Sequence, residues 1–370
     1  MTSFLHDPFL LTPLAIGTDF NTQKIMQGVS ALQPYSFDFD DGSCMISRFP
    51  DTFIQELKEK HQVQTRFDAL LLEGVYQTLQ HADFNPRSPE CGILLASTKG
   101  NVELLEFPSS PIKSCTLHSS AALLAERIQH PNPIQVISNA CISGISALIV
   151  AKRLVTHQRY KKILVIGCDV ISAFIFRGFQ SFKALDKERC KPFDLNRTGL
   201  NLGEAFASVV VSGDCSSLHL SSGRISNDSN HISGPSKSGD ELSYCIDYCL
   251  KPWNKSTLLP DFIVAHGTAT PYNDEMEAKA IALSGLHDVP VYSLKAIYGH
   301  TLGAAGLLET IIGSAFLLQN KIPPSFGFNQ LGVPVHVTIN TAWQEKPLQR
   351  FIKTGSGFGG CNAAICIEKV

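Results

Sequence analysis

Cys141 stands in Ser138-Asn139-Ala140-Cys141-Ile142-Ser143-Gly144, where a strand ends in a short turn and a helix begins at once. A thiol at that junction faces the unpaired N–H groups and positive dipole end of the helix, which stabilise a thiolate and lower its pKa. The same N–H groups can hold the oxyanion formed when a thioester is attacked. A buried small Cys that simply begins a helix would read the same way. A second segment, Val264-Ala265-His266-Gly267-Thr268-Ala269-Thr270-Pro271, delivers a His to the C-terminal end of a strand. Ligands bind at that end of open α/β sheets. Thr268 and Thr270 follow, able to hydrogen-bond an amide-rich linear ligand. In a third segment, Ser293 to Gly306, Lys295 lies five residues before His300, with Glu309 nine residues after it. That grouping can tune and orient an imidazole; a surface Lys and a capping His are the plain alternative. The fourth, Thr354 to Asn362, is a glycine-rich loop around Phe358. No Lys-Ser/Thr or helix pattern follows it, which argues against a phosphate loop.

These residues need strands to present them. Strand-like runs fall at Ile93–Ser97, Ile134–Asn139, Lys162–Gly167, Ala205–Val211, Asp261–Ala265, Phe351–Thr354 and Ala363–Glu368. Helical patterns fall at Ser143–His157, Asp274–Ser284 and Gly303–Gln319. The alternation predicts an α/β fold. The first turns of Ser143–His157 are apolar on every side, so that helix should be central and buried. The stretch Asp214–Asp240, rich in Ser, Gly and Asn, is the best break between halves, with the boundary near residue 214. The expected division is therefore 1–213, carrying the nucleophile, and 214–370, carrying the two His.

The 370 residues, 44% hydrophobic and 17% charged, suit one large domain or two fused halves. A net charge of -2 argues against a nucleic-acid surface. No secretory signal and no apolar run of membrane-spanning length is present in the sequence, so a cytoplasmic protein with no membrane partner is expected. Eleven cysteines without a C-x-x-C pair or a partner at metal-ligand spacing predict reduced thiols and no metal.

The order of the four segments is more specific than any one of them. Cys141 at a strand–helix junction is followed by HGTxTPxND, KxxxGHxxGAAG and GFGG. With Lys191-Pro192-Phe193-Asp194, Arg197, Gly199 and Gly203-Glu204, the chain from about Ile93 onward resembles the elongating β-ketoacyl synthases of fatty-acid and polyketide assembly. The resemblance implies a thiolase-like fold, two related α/β halves in a five-layer αβαβα arrangement. It implies that Cys141 takes an acyl group, and that His266 and His300 polarise a malonyl thioester and assist loss of carbon dioxide. Lys295 and Glu309 would support the histidines. Backbone N–H groups of Cys141 and Phe358 would form the oxyanion hole. Thr268 and Thr270 would contact a phosphopantetheine arm, and Phe358 would gate the site. No bound cofactor is implied beyond that arm, which a separate acyl carrier protein brings as the substrate carrier. The partners implied are this carrier protein and a homodimer, or a heterodimer with a second ketosynthase-like subunit.

Some positions depart from the family pattern. Ser356 replaces a Phe, Ala269 a Gly, Asn139 a Thr and Ala205 a Gly. These leave substrate chain length and partner open, with a tilt towards a specialised pathway such as a polyene or polyketide. A partner-dependent, chain-length-factor-like subunit is the alternative; Cys141 with both His argues against a non-catalytic form. A second His rather than Asn at His300 argues against the coenzyme A-primed starter enzymes. Thiolases carry a second catalytic Cys before their terminal glycine-rich motif, whereas Cys361 follows it and is expected to be structural. A plain cysteine hydrolase would leave Lys295, the second His and the Thr pair without a task.

Overall fold

The structure is a computed structural model describing residues 2–37, 43–107, 111–229, 234–252 and 258–370. Among these residues, ten strands build a large sheet. Five come from the first half of the chain: β1 (Phe4–Leu11), β2 (Cys91–Ala96), β3 (Gln135–Ile137), β4 (Lys162–Asp169) and β5 (Ala205–Ser212). Five follow: β6 (Leu218–Asn227), β7 (Phe262–Val264), β8 (Val291–Tyr292), β9 (Arg350–Gly357) and β10 (Cys361–Lys369). The first set is ordered β1-β5-β4-β2-β3 and the second β6-β10-β9-β7-β8. Each set pairs antiparallel, antiparallel, parallel, parallel along that order. One layout therefore occurs twice, and the pairing of Phe4 with His219 joins the two sets edge to edge.

Period-two alternation divides each strand between two apolar layers. On β4, Ile163 and Val165 face one core, while Leu164, Ile166 and Cys168 face another. On β10, Cys361, Ala363, Ile365 and Ile367 face the shared core, and Ala364 and Cys366 the far one. The outer core of the first set is covered by α1 (Arg66–His81) and α2 (Leu117–Ile128). The shared core between the two strand sets holds α3 (Ser143–Thr156) and, from the second half, Ala305–Leu318. The outer core of the second set lies under Asp240–Leu250 and Pro271–Leu283. Five layers result, as the resemblance implies.

Helix α3 is as buried as its sequence predicts. Its first turn meets the first turn of the Ala305–Leu318 helix with no room between the backbones. A Cβ on Gly144 would lie 2.6 Å from the Leu307 amide nitrogen. One on Gly306 would lie 2.6 Å from Ile145 Cγ1. Glycine is required at this crossing by close approach, and the crossing sets the two helix starts side by side.

The sequence is least transparent at the edges. The first eight-residue strand, β1, lies in the region with weak resemblance, yet it pairs with β5. The polar stretch 214–240 contains β6, which pairs with β10 along its whole length. Ser221, Ser222 and Ser226 therefore belong to a sheet rather than to a loop; residues 230–233 of that stretch lie outside the described ones.

Candidate active site

The thiol comes from the start of α3. Ala140, just before it, takes a left-handed φ of 43°. Ser143 locks the elbow: its Oγ accepts from the Asn139 N–H at 2.8 Å and donates to the Ala140 carbonyl at 2.6 Å. Cys141 is buried, and the Phe358 backbone N–H is directed at its sulfur. Gly357, beside Phe358, must lack a side chain: a Cβ there would lie 3.0 Å from the Cys141 nitrogen. The glycine-rich hairpin between β9 and β10 thus closes over the start of α3, bringing together the two backbone groups expected to form an oxyanion hole.

One sequence-based expectation fails here. Burial, with Cys361 beside it, pushes the Cys141 thiol up to about 12, although Lys295 and the Phe358 N–H pull it down. Dehydration is the largest influence and favours the protonated sulfur. Alkylation of Cys141 by iodoacetamide, followed by peptide mass mapping, should therefore rise roughly tenfold per pH unit between about pH 7 and about pH 10. A plateau near neutrality would show a preformed thiolate and overturn this. Cys361 is the unassigned neighbour: its thiol donates to the Phe358 carbonyl at 3.5 Å and the Asn139 carbonyl at 3.7 Å.

The two imidazoles lie edge to face, ring centres 5.3 Å apart. Each is held through its backbone. Glu277 accepts the His266 and Gly267 N–H groups, both at 2.8 Å. The Asn201 carbonyl accepts the His300 N–H at 2.6 Å, and the Gly203 N–H donates to the His300 carbonyl at 3.0 Å. A Cβ on Gly203 would strike the Tyr298 carbonyl at 2.0 Å. That contact gives the Gly203-Glu204 signature a physical reason. Its upstream part is structural too: Asp194 accepts the Asn329 and Gln330 N–H groups, and Asp274 accepts that of Phe193.

Neither ring nitrogen of His300 has a hydrogen-bond partner among the described residues, though both are buried. Burial holds both imidazoles well below the ordinary His range, reinforced by Lys295 and Lys353. They are neutral, and one N–H of His300 is available to a bound carbonyl. Lys295, expected only to support the histidines together with Glu309, forms a buried ion pair with it. A second buried cation, Lys353, takes the other Glu309 oxygen at 2.6 Å.

Phe358 is 40% exposed, and its ring meets Phe182 at 5.2 Å and Phe179 at 5.7 Å. Phe179 in turn sets its ring against His300 at 6.4 Å. A cavity of about 380 Å³ opens beside this aromatic group, lined by Thr98, Lys99, Ser138, Ala140, Phe182, Phe358 and Gly359. Thr268 and Thr270 bond each other at 2.9 Å. Ala269 between them has φ 62°, the conformation that explains the Gly of the common pattern.

Four residues here escaped the sequence reading: Glu277, Lys353, Thr354 and Asp169. Asp169 accepts the Gly303 N–H at 2.7 Å and the Ser97 hydroxyl at 2.8 Å, and burial raises its carboxyl to about 6. Only Glu277, eleven residues after His266 on the helix Pro271–Leu283 that follows it, offered a local signal. No group of three or more metal-ligating side chains occurs among the described residues. No described helix is long and apolar enough to cross a membrane.

Comparison with known proteins agrees with this geometry. The family model for the beta-ketoacyl synthase N-terminal domain matches residues 40–214, and that for the C-terminal domain matches 219–329. The chain is 24% identical over 406 residues to 3-oxoacyl-[acyl-carrier-protein] synthase 2 of Coxiella burnetii, covering 98% of this chain and 97% of that one. It is 28% identical over 266 residues to a putative polyketide beta-ketoacyl synthase 1 of Streptomyces cyaneus, covering 67% and 63%. A ketosynthase solved in complex with its chain length factor, from Xenorhabdus doucetiae, superposes with a TM-score of 0.87 at 22% identity, covering 100% of this chain and 98% of that one. Two family models that together span most of the chain place it in the beta-ketoacyl synthase family.

Proposed function

We propose that this chain performs a decarboxylative Claisen condensation between an acyl group held on Cys141 and a malonyl group on a separate acyl carrier protein. The supporting observation is the pair of neutral, buried imidazoles, His300 with both ring nitrogens unpartnered among the described residues, and a buried thiol under a backbone N–H, all three within the electrostatic reach of Lys295. Cys141 exchanges its proton for the acyl group of an acyl-carrier thioester, releasing the carrier thiol. His266 and His300 then donate to the carbonyl oxygen of the malonyl thioester, and the carboxylate leaves as carbon dioxide. The enolate carbon attacks the acyl carbonyl. The Cys141 and Phe358 N–H groups stabilise the resulting oxyanion. Collapse expels the Cys141 thiolate, which regains a proton, and the β-ketoacyl group departs on the carrier. Lys295 and Glu309 hold the electrostatic setting. Thr268 and Thr270 receive the phosphopantetheine arm, and Phe358 gates the acyl and malonyl binding regions.

The nucleophile lies in 1–213 and both histidines in 214–370, the division we propose between the halves. Among the described residues the edge strand β3 pairs with β2 alone, and we place a dimer there, with a second copy or a chain-length-factor-like subunit. The heterodimer is supported by the solved ketosynthase that carries such a partner. Exposed Lys99 at the cavity mouth suits an acidic carrier protein. Intact mass after incubation with acyl-carrier protein tests the reading. The expected result is a single acyl adduct, discharged as a longer β-ketoacyl product when malonyl-carrier protein is added. A stable adduct that malonyl-carrier protein cannot discharge would overturn it.

A further inference from the structure

The sequence marks one lysine for the site, Lys295. The structure holds two. Lys353 lies on β9, opposite Val264 of β7, with no solvent exposure. Four oxygens surround its Nζ: Glu309 Oε2 as an ion pair at 2.6 Å, and the Thr354, Ala265 and Val264 carbonyls, to which it donates at 2.7, 3.2 and 3.3 Å. Residues 264 and 265 are the two that immediately precede His266. Thr354, the next residue along β9, donates its hydroxyl at 2.6 Å to Glu277, the carboxylate that accepts the His266 and Gly267 N–H groups. Two consecutive residues of one strand thus grip the His266 backbone on both sides. Lys353 holds the carbonyls before it, and Thr354, through Glu277, holds the amides at and after it. Glu309 is meanwhile caught between two ammonium groups, one on each oxygen.

We propose that Lys353 is a positioning residue for the condensation: it fixes the strand end that delivers His266 and completes, with Lys295, the charge setting of both imidazoles. The proposal rests on the catalytic reading above. A lysine present only to neutralise Glu309 would need neither contact with the strand before His266 nor proximity to the reacting groups. The charged and titratable groups around the imidazoles are Lys295, Lys353, Glu309 and Glu277, with Asp169 under the Gly303 turn and the Cys141 thiol. Burial is the main reason the imidazoles resist protonation, and the two lysines add to it. Removing one of two cations from a water-free site lets the imidazoles protonate more readily.

The test compares wild type, Lys353→Met and Lys353→Arg by acylation of Cys141, read as intact mass, and by carbon dioxide release from malonyl-carrier protein across pH. The Met variant should be acylated at close to the wild-type rate. Its decarboxylation kcat should fall about 10- to 100-fold, and the acid limb of the profile should move to higher pH. The Arg variant keeps the charge but misfits the four oxygens, so turnover falls while the acid limb stays. Wild-type turnover and limb in the Met variant would overturn the proposal, as would a parallel fall in acylation and decarboxylation with an unmoved limb. Should the Met variant fail to fold, the Arg variant decides: lowered turnover with a fixed limb supports the assignment, and a moved limb or full turnover overturns it. Wild type that neither accepts an acyl group nor releases carbon dioxide would fault the catalytic reading instead.

Discussion

Cys141→Ala protein is expected to lose the acyl adduct completely yet still release carbon dioxide from malonyl-carrier protein, whereas His300→Ala is expected to accept the acyl group and lose the decarboxylation. In the proposed mechanism the two half-reactions use different parts of the molecule. Acylation needs the sulfur at the start of α3 and the Phe358 N–H directed at it. Decarboxylation needs donors at the carbonyl of the malonyl thioester, the role proposed for His300, whose ring nitrogens have no hydrogen-bond partner among the described residues. Loss of one such preorganised donor in a buried site costs roughly 100- to 1000-fold. The pH dependence follows from the direction of the imidazole shifts. Both are held below their ordinary range of about 6.5, so the active neutral form persists as pH falls through that value. Decarboxylation should therefore remain near its maximum at pH of about 6, where an ordinary exposed His would be mostly charged. Stability follows the same sign: it is full above the unfolded His value and is lost as pH falls below it, because the unfolded chain takes up protons that the folded site refuses. Joint loss of both half-reactions in either variant, with the fold intact, would refute the division of labour.

Arg66→Met should destabilise the chain by about 3 to 5 kcal/mol, although Arg66 touches no reacting group. Its guanidinium grips Glu204 through Nε to Oε1 at 2.6 Å and Nη2 to Oε2 at 2.7 Å, and also donates to the Phe49 carbonyl. Arg66 is 3% exposed and Glu204 0%. The carboxylate also accepts the Phe49 and Ile171 N–H groups, both at 3.0 Å, so it cannot turn towards water when its partner is removed. Arg48, 3.9 Å away, is too distant to replace the bidentate pair. Denaturant unfolding of the single variant, and of Arg66→Met with Glu204→Leu, separates the pair's net worth from the cost of stranding one member. The double variant should be the more stable of the two. A single variant within about 1 kcal/mol of wild type would show that the charge finds other compensation.

Much of this site is legible in the sequence because its chemistry is local. Cys141 needs a strand–helix junction, His266 a strand end, and His300 a turn of small residues; each requirement leaves a short, ordered pattern. Lys295 and Glu309 are legible because both flank His300 within one short segment, and they pair with each other. Lys353 is not, because nothing near it in sequence says that it crosses to the carbonyls of residues 264 and 265. Long-range sheet pairing decides that contact. The same cause hides β6, whose hydroxyl-rich sequence reads as a loop until β10 is laid beside it. The lowered thiol pKa expected at the helix end fails for a related reason. The helix end is local and legible, but the burial of the thiol is not, because it depends on long-range packing that includes a hairpin more than two hundred residues away.

The crossing of Gly144 on Leu307 has a consequence for how the chain is made. During synthesis, α3 leaves the ribosome about 160 residues ahead of the helix that covers it. At cellular rates of roughly 5 to 20 residues per second, that is a wait of about 10 to 30 s. Throughout that interval the apolar faces of α3, Ile145, Leu148 and Ile149 among them, have no cover from the second half. A nascent chain of this design should therefore be a client of ribosome-associated chaperones, and the Cys141 thiol stays unassembled until β10, the last of the ten strands in chain order, closes the hairpin over it.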